Sequence, residues 1–150
     1  MKQQVSIYTS SNKPTENQKS QIAEFLFDHL DQFGDSKIDI LKSINYSLKE
    51  CPSFGGFVIT KRNEHEIIGA VVVNQTGMNG YIPDNVLVYI AVHRDLRGQG
   101  LGKELILTAI NLAKGDIALH VEPDNPAKFL YSNIGFKNKY LEMRYKKENN

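Results

Sequence analysis

The sequence holds a single cysteine, Cys51, among its 150 residues, so it forms no internal disulfide and no cysteine-rich zinc site. It carries almost no net charge: 18 Lys and Arg stand against 17 Asp and Glu, a balance of +1. No long-range field steers such a chain onto nucleic acid or an anionic membrane. The N-terminal stretch "MKQQVSIYTSSNKP" lacks the apolar segment of a secretory signal, and the longest apolar run, Ile67 to Val73, is interrupted by Gly69. Repeats and low-complexity stretches are absent, and the four histidines show no metal-ligand spacing. These absences lead to the expectation of a cytoplasmic protein with no metal, no nucleic-acid partner and no membrane partner.

What is present is the composition of one globular domain spanning residues 1–150, 41% hydrophobic and 23% charged. A chain of this size buries roughly 70% of its unfolded surface and is stable without a staple. "VSIYT" reads as an opening strand. Thr15, with Gln18 three residues on, has the pattern of a capping box before a helix carrying Ile22, Phe25, Leu26, Leu30 and Phe33 and ending at Gly34. Ser36 and Asp39 open a second helix that continues to about Glu50. "GGFVIT" and "EIIGAVVVN" flank the charged turn "KRNEH" as a hairpin, and "DNVLVYIAV" is a further strand. A helix follows from Leu101 to Gly115, then the strand "DIALHVE", a short helix with Asn125 as cap and Pro126 in its first turn, and an alternating tail "KYLEMRYKK" read as a closing strand. The expected order is β-α-α-β-β-β-α-β-α-β. A helix between strands requires a parallel crossover and the hairpin is antiparallel, so the sheet is expected to be mixed.

The chemistry centres on "HRDLRGQGLGKEL", where Gly98, Gly100 and Gly102 stand at alternate positions between a strand and a helix. Such a turn aims backbone N–H groups at one point, and the helix N-terminus adds about half a positive charge, which makes an anion site. Alternate glycines let a phosphate reach the backbone, and Arg97 and Lys103 flank it. The spacing is neither G-x-G-x-x-G nor that of Walker A, which argues against a nucleotide-binding domain.

R-G-x-G-x-G at the end of a strand resembles the pyrophosphate-binding motif of the GNAT superfamily of acyl-CoA-dependent N-acyltransferases. "NPAKFLYSNIGF" is similar to the same family's downstream motif, and the two together span residues 86–136. The resemblance implies a three-layer α/β fold with a splayed central sheet, and acetyl-CoA as cosubstrate. It implies that the backbone of Ile90, Ala91 and Val92 bonds the pantetheine arm. The N–H groups of Arg97, Gly98, Gln99, Gly100, Leu101, Gly102 and Lys103 would hold the pyrophosphate. Asn125 would contact the cofactor near the pantetheine, Lys128 would reach its phosphates, and Tyr131 would stand by the sulfur. The chain departs from the pattern at Arg94, where members often carry proline, a change expected to loosen the turn. Many members pair as dimers, and a tail strand such as "KYLEMRYKK" can pair with a second chain.

If an acetyl group passes from a thioester to a lysine-like amine, that amine must first be neutral, which at pH 7 costs about 4.6 kcal/mol. A base or a desolvating pocket is therefore needed. "DNVLVYIAV" has no acidic residue beyond Asp84. His120 and Glu122, two apart on the expected fifth strand, share a face and are the base candidates. Full proton transfer from a tyrosine to a thiolate is uphill by about 2 kcal/mol on reference values, so Tyr131 is expected to act as a hydrogen-bond donor to the developing thiolate. His29 lines either the acceptor pocket or an exposed helix face, while His65 falls in the hairpin turn and His93 beside the glycine turn. Cys51 lacks a neighbouring activating group. The early helices and the loop Met78 to Asp84 are the places expected to select a small-molecule or peptide amine. The alternative is a non-catalytic acyl-CoA-binding or sensing module that keeps the cofactor turn.

Overall fold

The structure, a computed structural model, describes residues 2–148. These divide into two compact units, one up to Leu119 and one from His120 onward, and each is described by itself.

In the first unit the helix signals act where they stand in the sequence. Helix α1 (Glu16–His29) starts from a complete capping box: Thr15 Oγ1 accepts the Gln18 N–H at 3.1 Å, and Gln18 Oε1 accepts the Thr15 N–H at 2.8 Å. It ends earlier than Gly34, because the chain tightens into a 3-10 turn over Asp31–Phe33. Helix α2 (Lys37–Ser47) starts at Ser36, whose hydroxyl accepts the Asp39 N–H at 3.2 Å.

Strand β1 (Gln4–Tyr8), β2 (Gly56–Arg62), β3 (Ile67–Gln75), β4 (Asn85–Val92) and β5 (Ile117–Leu119) lie in the order of the chain. The first four pair antiparallel, and β5 pairs parallel with β4, giving the mixed sheet expected from the crossover. Helices α1 and α2 cover one face, with Leu26, Ile40 and Ile44 packed on Val58, Ala70 and Val72. Helix α3 (Leu101–Leu112) covers the other, with Leu105 and Ala109 on Ile59, Val71 and Val73. Both faces of β2 and β3 are therefore buried, which explains their nearly unbroken apolar runs.

A bulge in β4 matters for the site. Val72 pairs with Tyr89 but Val73 pairs with Leu87, so Val88 is the extra residue. Leu87 and Tyr89, two apart, would share a face of a regular strand; across the bulge Leu87 packs on the α3 side and Tyr89 on the α1–α2 side.

β5 is shorter than "DIALHVE". It pairs only Ile117–Leu119 with Asn85–Leu87, and His120 and Glu122 lie beyond its end. The second unit contains α4 (Ala127–Ile134). Asn125 Oδ1 accepts the Ala127 N–H at 2.9 Å, so Asn125 does cap this helix, and Pro126 sits at φ −64° in its first turn. The expected closing strand is not formed. "KYLEMRYKK" has no strand partner among the described residues, and Tyr140, Leu141, Met143 and Tyr145 are 80–90% exposed. Alternation marks a strand only when a ladder and a buried face exist to receive it, and this segment has neither. Among the described residues no helix is long and apolar enough to cross a membrane.

Candidate active site

Because β5 stops opposite Leu87, the edge of β4 from Val88 to Val92 has no strand beside it on that side among the described residues. This is an unpaired stretch of strand edge. It leaves backbone of Ile90, Ala91 and Val92 available to an extended ligand, as a strand edge is to a peptide. Ile90 and Val92 pack toward α3, and Ala91 points into the α1–α2 core.

β4 runs through a 3-10 turn at Arg94–Leu96 into Gly98, Gly100 and α3. Gly98 has φ +80° and Gly100 has φ +85°, and a Cβ placed on either would meet nothing within 4 Å. Their bareness is thus set by the left-handed backbone, which costs any other residue about 1–2 kcal/mol, and by open space in front of the turn. Gly100 is the N-cap of α3 and offers no side-chain acceptor. Glu104 is the first residue whose N–H returns into the helix, to Gly100 O at 3.1 Å, so the N–H groups of Leu101, Gly102 and Lys103 face forward. Gln99 and Lys103 are exposed beside them. Glu104, in this same first turn, is paired by the buried Lys61 of β2 at 2.5 Å, which offsets its charge near an anion site.

The side chain of Arg97 does not face this opening. Its guanidinium donates to Asp31 Oδ2 at 3.0 Å, His29 O at 2.6 Å and Val92 O at 3.4 Å. Arg94 does not loosen the turn as expected. Its N–H donates to His29 Nδ1 at 3.2 Å, a bond proline lacks, and its guanidinium reaches Asp31 Oδ1 at 2.9 Å and Asp28 O. The two arginines hold the Asp31 carboxyl below the usual carboxylate range. His29 is part-buried and stacked on His93 with ring centroids 4.3 Å apart. Burial first, then His93 and Arg94, push its pKa down, which keeps Nδ1 free to accept. His93 accepts the Asp95 N–H at 3.2 Å and lies 3.0 Å from Glu66 Oε1, so it caps the 3-10 turn.

Tyr89, beside the bulge, donates to Asp35 Oδ2 at 2.5 Å and ties β4 to the α1–α2 junction. Burial, then Asp35, raise its pKa, so it stays a protonated donor. Neither Tyr89 nor the Asp31 cluster carries a local sequence signal, since their partners lie 54 to 68 residues away.

In the second unit Asn125, Lys128 and Tyr131 recur every third residue at the start and along one side of α4. Tyr131 is 8% exposed and meets Phe136 edge to face at 5.9 Å. Burial raises its pKa, with no hydrogen bond contributing. The Lys128 ammonium turns back on its own helix start, donating to Pro123 O at 2.5 Å and standing 5.3 Å over the Phe129 ring. His120 and Glu122 are exposed and lie past the end of β5, so strand alternation does not place them on one face.

A model of the Acetyltransferase (GNAT) family matches residues 16–136, extending the likeness carried by the two motifs upstream to α1. Solved structures share the fold. An aminoglycoside N-acetyltransferase, AAC(6')-Iy, in complex with CoA is 16% identical, with 99% of this chain and 96% of that chain covered and a TM-score of 0.67. A ribosomal-protein-alanine N-acetyltransferase from Brucella melitensis biovar Abortus 2308 is 15% identical, covering 97% and 99%, with a TM-score of 0.66. A transcriptional regulator from Bacillus halodurans C-125 is 23% identical, covering 95% and 99%, with a TM-score of 0.67. No curated protein matches the sequence significantly.

Proposed function

The chain belongs to the Acetyltransferase (GNAT) family, and from that premise we propose that it transfers an acetyl group from acetyl-CoA to a primary amine of a small molecule or peptide by direct attack. The observation that carries this reading is the turn at the start of α3, where Gly98 and Gly100 are left-handed with open space before them and N–H groups facing forward. That donor set fits a pyrophosphate. The unpaired edge of β4 fits an amide-bearing arm, with the backbone of Ile90, Ala91 and Val92 as its partners.

When bound, acetyl-CoA supplies an activated acetyl carbon and a thiolate leaving group. Net transfer forms a C–N bond, breaks the C–S bond and leaves the sulfur with the proton that the amine gives up. The N–H groups from Arg97 to Lys103 would hold the phosphates, and the motif resemblance alone assigns Asn125 and Lys128 to the cofactor. By the same resemblance Tyr131 would donate a hydrogen bond to the developing thiolate. Its raised pKa makes outright proton transfer less favourable than the reference values imply and keeps the hydroxyl protonated at neutral pH. Proton removal from the amine would fall to His120 or Glu122, each exposed and neither on a strand face. Aminoglycoside acetyltransferases are among the structures sharing the fold, one of them in complex with sisomicin, which favours a small polycationic amine among the acceptors to try.

The test is release of free CoA from acetyl-CoA across polyamines, amino acids, aminoglycosides and peptide N-termini. Turnover dependent on one of these amines is expected. Tight CoA binding with no turnover on any acceptor would support a sensing module instead.

A further inference from the structure

The turn that carries the glycines has little of its own to hold it. Between β4 and α3 its main-chain bonds are His93 N–H to Ile68 O at its start, Leu96 N–H to His93 O, and Glu104 N–H to Gly100 O at its end, and Cβ positions at Gly98 and Gly100 touch nothing. Its side-chain anchors are His93, which caps the 3-10 turn and lies 3.0 Å from Glu66 Oε1, and the two arginines Arg94 and Arg97. Both arginines reach across to one carboxylate, Asp31, with each oxygen taking one guanidinium, at 2.9 and 3.0 Å. The same two guanidinium groups satisfy Asp28 O and His29 O, terminal carbonyls of α1 that have no partner within the helix. Asp31 itself sits at φ +54°, an uncommon conformation for a residue other than glycine. That conformation turns the chain out of α1 and is part of how its carboxylate comes to face both arginines.

We propose that Asp31 is a positioning residue for the cofactor turn: by fixing Arg94 and Arg97 against the end of α1 it sets the direction of the N–H groups from Gly98 to Lys103. Arg97 then serves the phosphates through its backbone, with its guanidinium committed to the scaffold. This rests on the acyl-CoA reading above. The opposite assignment, in which Arg97 is a direct phosphate ligand and Asp31 merely competes for it, makes the opposite prediction.

Calorimetric titration of CoA into the full chain separates them. Asp31→Asn and Arg97→Gln are each expected to weaken CoA binding about tenfold, and the double variant is expected to be no weaker than either single one, because both remove the same brace. Asp31→Gly removes the carboxylate while relaxing the left-handed backbone. Its melting temperature is expected to lie at or above that of Asp31→Asn, since both lose the ion pairs and only glycine relieves the left-handed backbone, while it binds CoA about tenfold more weakly than the wild-type chain, a split that loss of folding does not produce. Amide exchange at Gly98–Lys103 is expected to show reduced protection by CoA in Asp31→Gly, with the protection of β2 and β3 unchanged. Unchanged or tighter CoA binding in Asp31→Asn and Asp31→Gly overturns the assignment while leaving the acyl-CoA reading intact. Absence of CoA binding by the wild-type chain overturns both.

Discussion

Replacing Gly100 with alanine separates backbone strain from ligand exclusion. The residue is left-handed at φ +85°, ψ 3°, and an added Cβ meets no atom within 4 Å. The folded chain therefore bears only the conformational penalty, about 1–2 kcal/mol. At about 2–4 °C per kcal/mol for a domain of this length, the melting temperature should fall by roughly 2–8 °C. The space the methyl enters is the space assigned to the pyrophosphate, so the ligand response should suffer far more. With CoA at a hundred times its dissociation constant, the wild-type chain should gain about 2.7 kcal/mol of stability, and a hundredfold weaker variant about 0.4 kcal/mol at the same concentration. Differential scanning calorimetry with and without CoA reads both quantities. Gly115→Ala is the control: at φ +90° its Cβ would stand 1.7 Å from Asp84 Oδ2, so it should destabilise the chain more than Gly100→Ala while keeping the CoA response. A Gly100→Ala chain that retains the full CoA-induced gain would refute the reasoning.

Tyr131→Phe should lower turnover at saturating acetyl-CoA about a hundredfold with CoA binding little changed; undiminished turnover contradicts its role. Gly69→Ala should cost about 1–3 kcal/mol in denaturant unfolding, because the new Cβ would lie 2.6 Å from Cδ1 of the buried Leu105 and displace that side chain within a packed core. Stability should also fall with acid in two stages. His29 has its pKa lowered from 6.5 by folding, so the unfolded chain binds the proton more readily; its contribution is full above that value and drains as pH falls through the lowered one. Asp31, depressed from 3.8 by Arg94 and Arg97, behaves likewise at lower pH: its contribution is present above its ordinary value and lost as pH falls through the folded one. Unfolding midpoints that stay level through the His29 window in wild type, or that fall equally there in His29→Gln, contradict the first stage.

The features legible in the sequence are those whose physics is local. Thr15 and Gln18, or Ser36 and Asp39, meet within a single helical turn, so the caps could be read from spacing alone. The hairpin of β2 and β3 and the glycine turn are likewise written in adjacent residues. What was not legible depends on partners far along the chain. The bulge at Val88 exists only in the register between β3 and β4, yet it decides which way Tyr89 points. β5 ends where its pairing with β4 ends, which removed His120 and Glu122 from the strand that had placed them side by side. Arg97 flanks the glycines as a source of added charge, but its guanidinium is held by Asp31 and His29, more than 60 residues earlier. The tail "KYLEMRYKK" has the alternation of a strand without a ladder to join.

The central claim is that the turn opening α3 binds the pyrophosphate of an acyl-CoA. Calorimetric titration with CoA and with pantetheine, which keeps the thiol-bearing arm and lacks the pyrophosphate and nucleotide, tests it most directly. Losing two or more charge-assisted hydrogen bonds at about 1.5–3 kcal/mol each predicts at least roughly hundredfold weaker binding of pantetheine, with the difference abolished in Gly100→Ala. Equal affinity for the two ligands in the wild-type chain would contradict the account.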